Sequence, residues 1–335
     1  MSKKPGKGHP VSWRREVMLF NPRSRAHSLA LSLGAVAIVG FSVFFLTRPY
    51  PYGSRDVRRD PSMPGSCAIF SVAKGGSVFF GNNEDWRNPL TYIWVEPAGD
   101  GKYGVLCVGF DDLGPQGGIN EKGLAFDGNA LPSIPIKTYP ERSQPSEAIV
   151  NKIILRKCAT VEEAISLAGS YDWGTIYSGK FAGQYLLADA TGDACVLGFG
   201  ADGELAVTRK PKGDGFIVST NFNRAFPENR YYTYPCGRYE TATRMLDELV
   251  KESDLTVEAL ASVLDAVHQE GLRDSTLYSN IFDLKNGIAY FYDRHRYDRV
   301  AKLDVAETIK NKQPPRRIKD LFLQEKLNEE RHNSD

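Results

Sequence analysis

The stretch Pro64–Trp86, PGSCAIFSVAKGGSVFFGNNEDW, decides how the chain reads. Cys67 opens an apolar, strand-like run, and Gly75-Gly76 supplies a two-residue turn of the kind that joins hairpin strands. A second apolar run then returns to Asn82, Asn83 and Asp85. Upstream, residues 48–66 (RPYPYGSRDVRRDPSMPGS) are too rich in proline, glycine and charge to build a core and read as a linker. The folded part of the chain is therefore expected to begin at Cys67.

Downstream, short apolar runs alternate with glycine turns: TYIWVEP, YGVLCVGF and GLAFDG. Two helices are expected from Pro145 to Cys158 and from Thr160 to Ser170, the second opened by a Thr160/Glu163 capping box. A further block of strands follows (GQYLLADATG, DACVLGFGADG, ELAVTRK, GFIVSTNF), then helices over Gly237–Ser253 and Leu255–Gly271. A hairpin turning at Lys285-Asn286-Gly287 closes the domain. The strand connections are too short for parallel crossovers, and no GxGxxG or P-loop unit follows a strand. The pattern predicts an α+β fold of antiparallel sheets with helices on their outer faces, a single domain over 67–304 with a charged, peripheral tail over 305–335.

At the other end, an uncharged run over 28–47 (SLALSLGAVAIVGFSVFFLT) has the length of one bilayer-spanning helix, about 20 residues. A basic tail over 1–27 precedes it, and the charge balance places that tail in the cytoplasm with the rest of the chain outside. A cleaved signal peptide, releasing an exported protein, is the competing reading. With 42 basic and 41 acidic side chains there is no global field to attract nucleic acid, and no such partner is expected; self-association is left open.

Five cysteines, Cys67, Cys107, Cys158, Cys195 and Cys236, show no CxxC spacing, and the histidines are not paired in sequence, so no metal or cofactor is expected. The four cysteines other than Cys67 could pair or stay reduced. A cysteine nucleophile needs a base. His295 is the one histidine placed to make a Cys–His dyad; alternatively, a cut between Ser66 and Cys67 would create an α-amino group on the nucleophile itself, which could take the thiol proton. Asp85 could then hold that ammonium, and asparagine and arginine donors could meet a developing oxyanion. Trp86, Tyr92, Trp94 and Trp173 read either as core or as the lining of an acyl pocket.

Taken in order, Cys67, FFGNNEDW, GGINEKGLAFDGNAL, VSTNFN and GRYETATRML resemble the choloylglycine hydrolase and penicillin V acylase family of N-terminal-nucleophile amide hydrolases, across most of Cys67 to Leu303. The resemblance implies a four-layer αββα sandwich and hydrolysis of a linear carbon–nitrogen amide in a small molecule, bile-salt-like, penicillin-like or another N-acyl amide. It implies Cys67 as the autoproteolytically exposed nucleophile and Asp85 as the residue orienting its amine. Asn221 would contribute to substrate and intermediate binding, Arg238 would lie near the nucleophile, and Asn129, shifted by one position, is the nearest candidate for an oxyanion donor. Bile-salt-cleaving members carry an arginine where this chain has Asn82, and the chain from Cys67 onward is short for that branch, nearer to the acyltransferase-like relatives. Transfer to an amine acceptor, an inactive extracytoplasmic binding module on the same fold, and a lipidated Cys67 are the alternative readings; for the last, MPGS lacks the apolar residue expected three positions back.

Overall fold

A computed structural model describes residues 67–145, 148–211, 213–227, 236–271 and 275–322. The first strand, β1 (Ala68–Lys74), starts immediately after Cys67 and turns through Gly75-Gly76 into β2 (Ser77–Trp86). Gly75 has φ +58°, which its lack of a Cβ permits; a methyl group there would also meet the Glu252 carboxylate at 2.2 Å.

These two strands lie inside a six-stranded antiparallel sheet. It is completed by β10 (Gly215–Ser219), β11 (Ser275–Asp283), β12 (Ile288–Asp293) and β13 (Ala301–Asp304), in the order β10-β1-β2-β11-β12-β13. The second sheet has eight antiparallel strands. Seven are β3 (Thr91–Glu96), β4 (Val105–Phe110), β5 (Pro115–Asn120), β6 (Ala125–Pro135), β7 (Lys180–Ala188), β8 (Ala194–Phe199) and β9 (Leu205–Arg209); β14 (Arg316–Arg317) adds to the β3 edge.

Both sheets are covered on both faces, which explains why β4 and β8 are continuously apolar instead of alternating, and why β1 is buried on both faces, Ser71 included. Ile69, Phe80, Leu106, Val108, Leu186, Val196 and Phe282 fill the core between the sheets. Ala68, Phe70, Val72 and Ile281 face outward against α4 (Gly237–Asp247) and α5 (Val257–Ala266), which bring Ala242, Leu246, Leu260 and Leu264. Val105, Cys107, Cys195 and Leu197 face the other way, against a π-helical turn (Ile149–Ile154), α1 (Leu155–Lys157), α2 (Val161–Ser170) and α3 (Trp173–Ile176). The layers run helix, sheet, sheet, helix.

The expected strands are all present, and the structure adds the short β13 and β14 and also β5, whose PQGGIN sequence has too few branched side chains to signal a strand. Helix ends differ more. Within the segment expected from Pro145 the described helical turns are Ile149–Ile154 and α1, the helix from Gly237 stops at Asp247, and that from Leu255 is α5. Thr160 does cap α2, accepting from the Glu163 amide at 3.2 Å, while the Glu163 carboxylate accepts from Ala159 N.

Asp304 is not the edge of the packed domain. Val305 and Ile309 on α6 (Val305–Asn311), then Ile318, Leu321 and Phe322, enter the central core, so the first part of the expected tail is structural. All five cysteines are free thiols. Among the described residues no helix is long and apolar enough to cross a membrane; the basic tail, the apolar run over 28–47 and the linker lie outside the described residues.

Candidate active site

Antiparallel pairing of Ala68 with Asn83 and of Ile69 with Asn82 places Cys67 beside Glu84. Because side chains alternate along a strand, the face that carries Phe80 into the inter-sheet core also carries Asn82 and Glu84, whereas Asn83 and Asp85 belong to the opposite face. Glu84 is flanked on its other side by Tyr278, its register partner on β11. Across the gap, β6 contributes Asp127 and Asn129 from the face that carries Ala125 into the same core. All of these side chains are buried, and Cys67 itself is 4% exposed.

Two donors converge on the Cys67 carbonyl: Arg238 Nη1 at 2.6 Å and Asn129 Nδ2 at 3.3 Å. Arg238 Nη2 also donates to Asn221 Oδ1 at 3.0 Å, and Asn221 Nδ2 donates to Ala130 O at 2.9 Å, so its second N–H is left for another acceptor. Asn129 is oriented by the Ser219 hydroxyl, which donates to its Oδ1; Ser219 accepts in turn from Gln184 Nε2 at 3.0 Å. Asp85 Oδ1 accepts from Thr276 Oγ1 at 2.5 Å, at a bulge in the β2–β11 pairing.

The electrostatics around the thiol are acidic. Burial, followed by the negative fields of Glu84 and Asp85, holds the Cys67 thiol well above its ordinary pKa, so in the intact chain it is neutral. Burial, then Asp85, pushes Glu84 up to about 8. Asp127 is also raised well above the carboxylate range, by burial and then Glu84. Cys67, Asn82 and Tyr278 gather around the Glu84 carboxylate, while Asp127 Oδ2 and the amide group of Asn280 have no hydrogen-bond partner among the described residues. Such a buried polar layer is costly to stability unless something else engages it, and is typical of sites where a charge is to appear.

Four of the five residues singled out from the sequence thus share one hydrogen-bonded or electrostatic cluster with Cys67: Asp85, Asn129, Asn221 and Arg238. Glu84, Asp127, Tyr278, Ser219 and Gln184 escape a reading of the sequence. Only the strand register, which sets Glu84 between Cys67 and Tyr278, could have signalled them. Among the described residues no histidine is one of the groups that act most strongly on the thiol; His295 instead lies against Glu270 and stacks on His268. The four aromatic residues open to either reading are core: Trp94 and Trp173 are buried beneath the outer helices, Tyr92 packs on the same cluster, and Trp86 packs on the inter-sheet core.

Residues 72–296 match the family model described as acyl-coenzyme A:6-aminopenicillanic acid acyl-transferase. No curated protein sequence gives a significant match. Among solved structures, the chain is similar in fold to a variant of the conjugated bile acid hydrolase from Clostridium perfringens, with TM-score 0.56 and 16% identity over 75% of this chain and 96% of that one. It is similarly related to penicillin V acylase from Agrobacterium tumefaciens, with TM-score 0.53 and 19% identity over 74% and 90%. The family match covers about two thirds of the chain, and the chain belongs to the acyl-coenzyme A:6-aminopenicillanic acid acyl-transferase family, with a two-sheet fold similar to those of the bile acid hydrolase and penicillin V acylase structures.

Proposed function

We propose that the chain is an N-terminal-nucleophile cysteine amidase that hydrolyses a linear carbon–nitrogen amide in a small N-acyl substrate. The observation that carries this reading is the acidic surrounding of a buried, neutral thiol on the residue immediately before β1. A thiol so placed reacts poorly with an external substrate until a cation appears beside it, whereas the Ser66 carbonyl is covalently tethered to the same residue and needs no encounter. Cleavage of the Ser66–Cys67 bond supplies that cation. The Cys67 sulfur attacks the Ser66 carbonyl carbon, the C–N bond breaks as the thiol proton passes to nitrogen, and water hydrolyses the resulting thioester. The new ammonium sits among Glu84, Asp85 and Asp127 and lowers the cost of ionising each; its neutral form is the base for the thiol during turnover.

In turnover, sulfur attacks the substrate carbonyl, the amine leaves with a proton from the Cys67 ammonium, and water releases the acyl group. Asn129 and the second N–H of Asn221 are the oxyanion donors, held by Ser219 and Arg238. Asp85, fixed by Thr276, orients the amine. No step calls for a metal or cofactor. The substrate is a small amide, and the apolar run over 28–47 tethers the catalytic domain outside the cytoplasm until the chain is cut.

The test is hydrolysis of a panel of N-acyl amides, including bile-salt, penicillin and N-acyl-amino-acid compounds, by purified protein and by Cys67→Ala. The wild type should turn over at least one class and Cys67→Ala none; equal activity in both would sink the reading. Acyl transfer is a second reading, favoured by the description of the family model. Adding a primary amine acceptor and measuring the ratio of transfer to hydrolysis separates the two. Ligand binding without processing or turnover would instead identify an inactive binding module.

A further inference from the structure

His268, just past the end of α5, and His295, in the turn after β12, are distant in sequence but their rings stack in the fold, with centroids 5.2 Å apart and planes at 17°. Glu270 joins them. Its Oε1 lies 3.1 Å from His268 Nε2 and 4.0 Å from His295 Nε2, and the three ligand atoms fall within 4.8 Å of one another. We infer that His268, Glu270 and His295 form a binding site for a first-row divalent cation of the zinc type.

Hydrogen bonding at the far side of His268 supports this independently. Its Nδ1 contacts the Asp265 carbonyl oxygen, which can only accept, so Nδ1 carries the proton. The Asp265 carboxylate lies beside the same nitrogen, at 3.1 Å. With Nδ1 so tied, Nε2 is the ring nitrogen turned toward the Glu270 carboxylate, at 3.1 Å, and toward the space that it shares with His295. A histidine whose outer nitrogen is tied to a carbonyl or carboxylate is the usual arrangement of a metal ligand.

The dimensions also fit. With metal–nitrogen and metal–oxygen bonds of about 2.0–2.1 Å, tetrahedral ligands stand about 3.3 Å apart, between the 3.1 Å and 4.0 Å that now separate Glu270 Oε1 from the two histidine nitrogens. Glu270 and His295, with side chains 66% and 38% exposed, are free to make that adjustment. Two nitrogens and one oxygen suit zinc, nickel or cobalt and are a poor set for calcium or magnesium. Three protein ligands leave a fourth position for water.

The site is linked to the nucleophile's surroundings. Gln269, between two of the ligands, donates from its amide to Thr276 Oγ1 at 2.9 Å and accepts from the Thr276 amide at 2.9 Å; Thr276 Oγ1 donates to Asp85. A metal that fixes residues 268–270 therefore fixes the hydroxyl that positions Asp85. Metal binding itself does not depend on the amidase reading.

The experiment uses the full chain, stripped with chelator and titrated with zinc by calorimetry, beside His295→Ala and Glu270→Gln. The wild type should bind one equivalent that both variants lose or bind more weakly by at least the ~10–100-fold expected for damage to a metal site. A hundredfold excess over Kd should raise the wild-type Tm by roughly 5–8 °C and leave the variants unmoved. Cobalt(II) should give visible d–d bands without thiolate charge transfer. No binding, the same stoichiometry and affinity in all three chains, or a cobalt–thiolate band assigning that equivalent to a cysteine would overturn the proposal.

Discussion

Glu84→Gln isolates the electrostatics of the site. The substitution keeps the shape of the side chain and removes its titration. Burial and Asp85 raise Glu84 to about 8 from an ordinary 4.5, and at about 1.36 kcal/mol per unit that shift corresponds to at most about 5 kcal/mol of differential stability. The sign follows from the proton count. Between pH 4.5 and about 8 the unfolded chain has lost a proton that the folded chain keeps. This stabilising contribution is fully present below pH 4.5 and is lost, by about 1.4 kcal/mol per pH unit, as pH rises through the folded pKa. The measurement is urea unfolding from pH 5 to 8 on Cys67→Ala, which holds the Ser66–Cys67 bond intact, with and without Glu84→Gln. The chain bearing Glu84 should lose stability across this window more steeply than the glutamine chain, by one proton's slope. Parallel curves would refute the buried-acid description.

Three further substitutions test other parts of the structure. Arg238→Lys cannot reach both the Cys67 carbonyl and Asn221, and kcat/KM should fall about 10²–10³-fold, the range seen when one oxyanion donor is lost; unchanged kinetics would remove Arg238 from the site. Gly81 lies beneath the Phe70 ring, where a Cβ would meet Cζ at 2.4 Å, so Gly81→Ala should lower stability by about 1–3 kcal/mol in chemical denaturation. A chain ending at Asp304 loses Val305, Ile309, Ile318, Leu321 and Phe322 from the central core and should be recovered only as aggregate; a soluble, cooperatively melting product would show that the core closes without them.

How much of this was legible in the sequence depended on whether the signal was local. Apolar runs bounded by glycine turns locate strands, and Thr160 with Glu163 marks a helix start, because those effects act within a few residues. The strand PQGGIN was not legible: its place is set by neighbours on both sides, not by its own side chains. Charge density misled at the C-terminus, where a few apolar residues among many charged ones, Ile318 and Phe322 included, are enough to dock the segment. Within the site, motif order brought out Asp85, Asn129, Asn221 and Arg238. Glu84 was hidden in plain view between Asn83 and Asp85, since only the register with β1 and β11 gives its face. The stacking of His268 on His295 is likewise a tertiary event with no spacing to announce it.

The central claim is that Cys67 becomes the amino terminus of the working enzyme. Intact mass and N-terminal sequencing of purified protein, wild type beside Cys67→Ala, test it most directly. The expected result is a wild-type chain that begins at Cys67 and a Cys67→Ala chain that keeps residue 66 joined to residue 67. A wild-type chain that retains the Ser66–Cys67 bond while hydrolysing amides would contradict it.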